Sequence, residues 1–127
     1  MTVLADTSVL IEYLRGSDQA RALLRRVLQS GDSVYGSVLT RIEISLGMRS
    51  HERPATDALV AALKWIPVDQ GIADDADALA REFGQSHSGI DAVDYCIAAT
   101  TRQRNLDLWT LNTRHFPMFP GLQRPWW

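Results

Sequence analysis

Val3-Leu4-Ala5-Asp6-Thr7-Ser8-Val9-Leu10-Ile11, near the start of the chain, decides the reading of the fold. Three apolar residues in succession suit a short strand buried on both faces. An acid and two hydroxyl residues then interrupt, and a second apolar run begins. Thr7 or Ser8 is predicted to cap the helix opened by Val9-Leu10-Ile11. The unit is strand, turn, helix, and it leaves one carboxylate, Asp6, at the carboxyl end of the strand.

The same unit recurs along the chain. From Asp18 to Ser30 the residues Ala20, Leu23, Leu24, Val27 and Leu28 follow helical spacing, and Gly31-Asp32 stops the helix. Ser33-Val34-Tyr35-Gly36 reads as a second strand, and Val38 to Met48 as a helix carrying Glu43. Ala55 to Lys64 is predicted helical, Trp65-Ile66-Pro67-Val68 a short strand, and Ile72, Ala76, Leu79 and Phe83 mark a further amphipathic helix. After Ser86-His87-Ser88-Gly89, a helix runs from near Asp91 to Gln103, and Leu108-Trp109-Thr110-Leu111 forms a strand ending at Asn112. Strands alternating with helices predict an α/β fold: a three-layer α/β/α sandwich around a mainly parallel sheet of four or five strands.

With 127 residues, 46% of them hydrophobic, the chain can bury one core of ordinary size, which predicts a single domain over residues 1–127. The net charge is −2 and no block of like charges occurs, which excludes a charged disordered tail and a strongly basic nucleic-acid-binding surface. Any contact with nucleic acid must be local. Lys64 is the only lysine, so positive charge is carried by arginine, whose planar fork suits phosphate. No apolar stretch approaches the roughly 18 residues of a membrane span and no basic leader precedes an apolar run, so a cytoplasmic protein is expected. Cys96 has no intrachain partner, and its apolar neighbours predict a buried, inert thiol.

In an open parallel sheet, ligands bind beyond the carboxyl ends of the strands. Asp6 ends the first strand, Glu43 lies on the helix after the second, Asp94 begins a later helix, and Asn112 follows the last strand. Carboxylates gathered there repel one another unless a cation compensates them. Mg²⁺ or Mn²⁺, which prefer oxygen ligands and also bind phosphate, fit that role. One ion can lower the pKa of a bound water, and a second about 3.5–4 Å away can stabilise a leaving oxygen. The chemistry so served is phosphodiester hydrolysis, and the second ion is expected to arrive with the substrate.

The chain resembles PIN domains of the VapC toxin type. The resemblance is carried by Leu4-Ala5-Asp6-Thr7-Ser8-Val9-Leu10-Ile11, Leu39-Thr40-Arg41-Ile42-Glu43, Asp94-Tyr95-Cys96-Ile97-Ala98-Ala99-Thr100, and Leu108-Trp109-Thr110-Leu111-Asn112-Thr113-Arg114-His115-Phe116. It implies a metal-dependent endoribonuclease acting on structured RNA such as tRNA or rRNA loops. It also implies a homodimer, or a larger toxin–antitoxin assembly, held inactive by a VapB-type antitoxin. The resemblance assigns the catalytic and metal-binding acids to Asp6, Glu43 and Asp94. The family's fourth position, often Asp, is Asn112 here, which can still bind metal or water. Ser8 or Thr110 can support the site through a hydroxyl, Asp91 can add negative charge, and Arg15, Arg41 and Arg114 can hold RNA phosphates.

Each acid also has a purely structural explanation. Thr40-Arg41-Ile42-Glu43 has the form of a capping box, and Asp91 with Asp94 that of an N-cap followed by an N3 acid. His51, His87 and His115 lack zinc-ligand spacing, and His115 reads as a structural or RNA-edge residue. Trp126 and Trp127 suit either stacking on a base or partner, or a docked terminus. A receiver-like phosphorylation switch needs a lysine after a late strand, which Lys64 does not supply. A catalytically inactive RNA- or protein-binding module of the same fold, and a DNA nuclease with the same acids, are the remaining alternatives.

Overall fold

The computed structural model describes residues 2–126. Strand β1 (Val3–Ala5) leads through Asp6 alone into α1 (Thr7–Leu14), followed by α2 (Asp18–Gln29), β2 (Val34–Ser37) and α3 (Val38–Gly47). A 3-10 turn (Ser50–Glu52) precedes α4 (Arg53–Ala62), β3 (Lys64–Ile66), α5 (Gln70–Phe83) and α6 (Ala92–Gln103). Strand β4 (Asp107–Trp109) and a 3-10 turn (Thr113–His115) complete the order. The four strands pair in parallel in the order β3-β2-β1-β4, with Ala5 opposite Trp109.

Alternation along β1 divides the core in two. Leu4 packs with Ile72 and Leu79 of α5 and Ile97 of α6, while Val3 and Ala5 belong with Leu10, Leu24 and Leu59 of α1, α2 and α4. Helices thus cover both faces, and all three β1 residues are fully buried. Burying a side chain such as Leu4 contributes about 1.5–3 kcal/mol. The chain runs β1, β2, β3 toward one edge, then returns through α5 and α6 on the opposite face to place β4 on the free side of β1. Connections leaving β1 and β4 therefore diverge to opposite faces, which opens a crevice at the carboxyl ends of these two strands.

Several boundaries differ from the sequence reading. Lys64 belongs to β3 rather than to the preceding helix, because α4 ends at Ala62 and the chain turns extended at Leu63 to pair with β2. That strand ends at Ile66, short of Pro67, which has no N–H to offer a ladder. Thr7 is the first residue of α1, not its cap: Asp6 occupies the N-cap position and makes no side-chain cap bond there. Strand β4 stops at Trp109, so Thr110 lies just beyond it. Trp126 is half-buried against the Val3 cluster, and Trp127 lies outside the described residues. No helix among the described residues is long and apolar enough to cross a membrane.

Candidate active site

Asp6 is held by its backbone before its side chain is considered. Its N–H donates to Trp109 O at 2.8 Å and its carbonyl accepts from Val9 N–H at 3.1 Å, joining the β1–β4 pair to the first turn of α1. The residue is 3% exposed. Thr110 Oγ1 donates to Asp6 Oδ2 at 2.7 Å and Ser8 Oγ donates to the same oxygen at 2.9 Å. Both hydroxyls are themselves oriented by backbone N–H donors, Ser8 Oγ by Leu111 at 3.1 Å and Thr110 Oγ1 by Asn112 at 3.0 Å.

Glu43 owes its place to the absence of any loop between β2 and α3. Ser37 ends the strand and caps the helix, its Oγ accepting from Leu39 N–H at 3.2 Å. The capping box expected at Thr40–Glu43 therefore does not form, and Glu43 lies inside the helix beside α1. Thr7 Oγ1 donates to Glu43 Oε1 and lies 3.0 Å from the Oγ1 of Thr40, which is fully buried. Burial pushes the Glu43 carboxyl above its ordinary range; the Thr7 bond opposes this, and the charges of Asp91 and Asp6 add to it.

The N-cap and N3 acid expected at Asp91 and Asp94 are found, and they form a capping box. Asp94 N–H donates to Asp91 Oδ1 at 2.9 Å, and Asp91 N–H donates to Asp94 Oδ2 at 3.2 Å. His115 Nδ1 stands 3.1 Å from the same Asp94 Oδ2. The Asp94 carboxyl is pushed up to about 6, above all by burial and also by the charges of Asp91 and Asp6, while the backbone bond from Asp91 and His115 pull the other way.

All these groups line one open cleft of about 390 Å³ at the carboxyl ends of β1 and β4. Its acids are Asp6, Glu12, Glu43, Asp91 and Asp94; Asn112 lies beside them, and Arg15 and His115 are its bases. Arg15 is partly engaged, 3.6 Å from Glu12. The cleft is thus a site of excess negative charge. Asp6, Glu43, Asp91 and Asp94 share a further property: the hydroxyl, backbone N–H and imidazole groups given above reach one oxygen of each, and the second oxygen has no protein donor among the described residues.

Among the described residues, no three His, Cys, Asp or Glu side chains stand close enough to grip one ion together. The close-packed triple of carboxylates expected from the sequence is replaced by acids spread along a cleft. This donor set still fits Mg²⁺ or Mn²⁺: the free atoms are hard carboxylate oxygens, and Mg²⁺ commonly takes one or two carboxylates directly while keeping several waters.

The arginines separate. Arg15 lines the cleft, whereas Arg41 lies off it, its guanidinium 5.6 Å from the centre of the Trp65 ring. Arg114 is exposed on the last 3-10 turn and is not part of the cleft wall. Cys96 is half-buried, and burial pushes its thiol upward, which disfavours the reactive thiolate. Sequence reasoning missed Thr7 and Thr40 as supports of Glu43 and did not connect His115 with Asp94. The signal for Thr7 was its place directly after Asp6, where the capping role concealed it.

Residues 3–120 match the family model of the PIN domain, and the chain belongs to that family. Its relatives include the ribonuclease VapC19 of Mycobacterium tuberculosis, 43% identical over 97% of this chain and 98% of that protein. The ribonuclease VapC10 of the same organism is 39% identical over 97% of this chain and 92% of that protein. Among solved structures, a toxin–antitoxin complex from Klebsiella pneumoniae contains a chain that superimposes with a TM-score of 0.77 at 26% identity, covering 98% of each.

Proposed function

We propose that this protein is a Mg²⁺- or Mn²⁺-dependent endoribonuclease, the toxin of a toxin–antitoxin pair, which hydrolyses phosphodiester bonds in structured cellular RNA such as tRNA or rRNA loops. The observation that carries this reading is the acid-lined cleft at the divergence of β1 and β4, in which four carboxylates each keep one oxygen without a protein donor. The names of the VapC relatives support the ribonuclease activity.

Asp6, Glu43 and Asp94 would hold the divalent ions, one or two carboxylates directly on an ion and the rest through its bound waters, with Asn112 contributing an amide oxygen or a water contact and Asp91 adding charge from the rim. A bound ion of this kind supplies a lowered water pKa and stabilises charge building on the scissile phosphate. The protein's own contribution is orientation. Ser8 and Thr110 fix Asp6 Oδ2, Thr7 fixes Glu43 Oε1, and the α6 cap meets Asp94 Oδ2, so that each second oxygen is left for an ion. Arg15 is placed to meet an RNA phosphate at the cleft edge.

The partner proposed is a VapB-type antitoxin, in keeping with the toxin–antitoxin complexes among the structural relatives. Its seat would be the groove of about 630 Å³ where Tyr13, Leu14, Leu24 and Leu28 meet α4. A smaller groove shares Leu14 with that one and Ile11 and Arg15 with the acidic cleft, so an amphipathic segment lying there could carry a basic side chain to the acids. A homodimer of this chain is proposed on the family resemblance, and sedimentation of the purified protein measures it.

The test compares the wild type with Asp6→Asn on single-stranded RNA, tRNA and single-stranded DNA in Mn²⁺ and in a chelator. The wild type should cut RNA only with the metal, and Asp6→Asn should not cut. A wild type that neither binds Mn²⁺ nor cleaves, once free of antitoxin, would favour the inactive binding module; equal cleavage of DNA would displace RNA as the substrate. Mapping 5′ ends of cellular RNA after brief induction then identifies the target.

A further inference from the structure

His115 is not delivered to the cleft by chance geometry. The turn that carries it is closed by His115 N–H donating to Asn112 O at 2.9 Å and Phe116 N–H donating to Thr113 O at 3.1 Å. The next residue, Phe116, is 1% exposed and sits in the core that α5 and α6 build against the sheet. A buried phenyl group therefore anchors the segment, and the imidazole one residue earlier lies over the first turn of α6.

At that turn Asp94 Oδ2 receives two contacts, the Asp91 N–H at 3.2 Å and His115 Nδ1 at 3.1 Å, while Oδ1 has no donor among the described residues. The capping bond is long and by itself leaves the carboxylate free to rotate about its terminal torsion, which is broad. A second donor on the same oxygen, arriving from a different element, removes that freedom. An imidazole bearing a proton on Nδ1 donates in this way whether the ring is neutral or cationic.

We propose that His115 is a positioning residue for the ion-binding acid Asp94: its Nδ1 holds Oδ2 so that Oδ1 is turned toward the divalent ion. The inference rests on the metal-site reading given under Proposed function. It places the imidazole behind a ligand rather than on the metal, where partners of ligating groups commonly matter by 10- to 100-fold in affinity. It also accounts for a histidine within contact of an acid in a cleft that otherwise holds only one basic side chain, Arg15.

The test is Mn²⁺ binding to the full chain, followed by electron paramagnetic resonance of the free ion, together with thermal unfolding and RNA cleavage. His115→Ala should weaken Mn²⁺ binding by about tenfold or more. His115→Asn places an amide nitrogen near the position of Nδ1 and should recover affinity to within about threefold of the wild type, whereas His115→Gln, which mimics Nε2, should not. Because Asn keeps the short polar group, it carries the comparison even if the Ala variant unfolds. Unchanged affinity in folded His115→Ala, or rescue by Gln and not Asn, overturns the proposal, and the second result would place the working nitrogen on the substrate side. A wild type that binds no Mn²⁺ overturns the metal-site reading itself, which is a separate and distinguishable outcome.

Discussion

The hydroxyl of Thr110 donates to Asp6 Oδ2 at 2.7 Å, although 104 positions separate the two residues in the chain. The bond ties the end of the last strand to the end of the first, and Ser8 shares the same acceptor. Asp6 is thereby fixed by two residues that carry no charge.

Thr110→Val keeps the shape of this fully buried side chain and removes the hydroxyl. Asp6 loses one donor and the Asn112 N–H loses its acceptor. The expected cost is about 1–3 kcal/mol in urea unfolding. Combined with Ser8→Ala, the loss should depart from additivity, because both hydroxyls serve one oxygen. Strict additivity in a double-mutant cycle would show that they act independently.

Stability of the metal-free protein should fall as pH rises through the interval from about 4 to 6. The Asp94 carboxyl is pushed from its ordinary 3.8 up to about 6 in the folded state. Between those values the folded chain binds more protons than the unfolded one, so raising the pH favours unfolding, on the order of 2–3 kcal/mol in all. Above about 6 the effect is complete and the curve levels. Glu43 is shifted in the same direction and adds to the trend. Thermal unfolding from pH 4 to 8 in a chelator measures the slope, and Asp94→Asn should flatten it. An unaltered slope in that variant would mean that other groups govern the trend. Added Mg²⁺ should stabilise most at the alkaline end, where the ligands are deprotonated.

Gly36→Ala should destabilise the fold without touching the cleft. A β-carbon at this position would lie 2.5 Å from one carbon of the Trp65 ring and 2.9 Å from another. The ring has little freedom to yield, since its Nε1–H donates to Val60 O at 2.9 Å. Overpacking of this kind costs about 1–3 kcal/mol. The midpoint of chemical unfolding should drop while Mn²⁺ affinity stays at the wild-type value; a normal midpoint would show that the β2–β3 region adapts freely.

Arg15→Ala and Arg41→Ala should behave differently on RNA. Arg15 lines the cleft and Arg41 rests against Trp65. Loss of Arg15 should raise KM for RNA by roughly three- to tenfold and reduce its salt dependence. Loss of Arg41 should leave both close to wild type. Equal effects of the two substitutions would move the RNA path onto α3.

The features legible in the sequence are those whose signals are local. Val3-Leu4-Ala5 followed by Asp6 announces a buried strand with an acid at its end, and the periodicity of Ile72, Ala76 and Leu79 announces α5. The α/β class and the positions of Asp6, Glu43 and Asp94 on their elements followed from such patterns. What escaped depended on pairing or on where one element meets the next. Lys64 continues a helical pattern but joins β3, because pairing opposite Tyr35 outweighs helix propensity. Thr40 and Glu43 have the letters of a cap, yet α3 begins at Val38, as its apolar run implied, and the cap is Ser37, the last residue of β2. The approach of His115 to Asp94 and of Thr7 to Glu43 obeys no spacing rule, since it is created by packing between elements.

The position of β4 beside β1 determines when the cleft can exist at all. A nascent chain released only as far as α6 can already lay β2 and β3 against β1, but nothing then receives the Asp6 N–H and no Thr110 hydroxyl meets its carboxylate. Long-range parallel pairing is also intrinsically slow to form. The ribosome must therefore deliver the chain beyond Thr110 before the acids are organised, and a product terminated earlier inherits the carboxylates without the frame that aligns them.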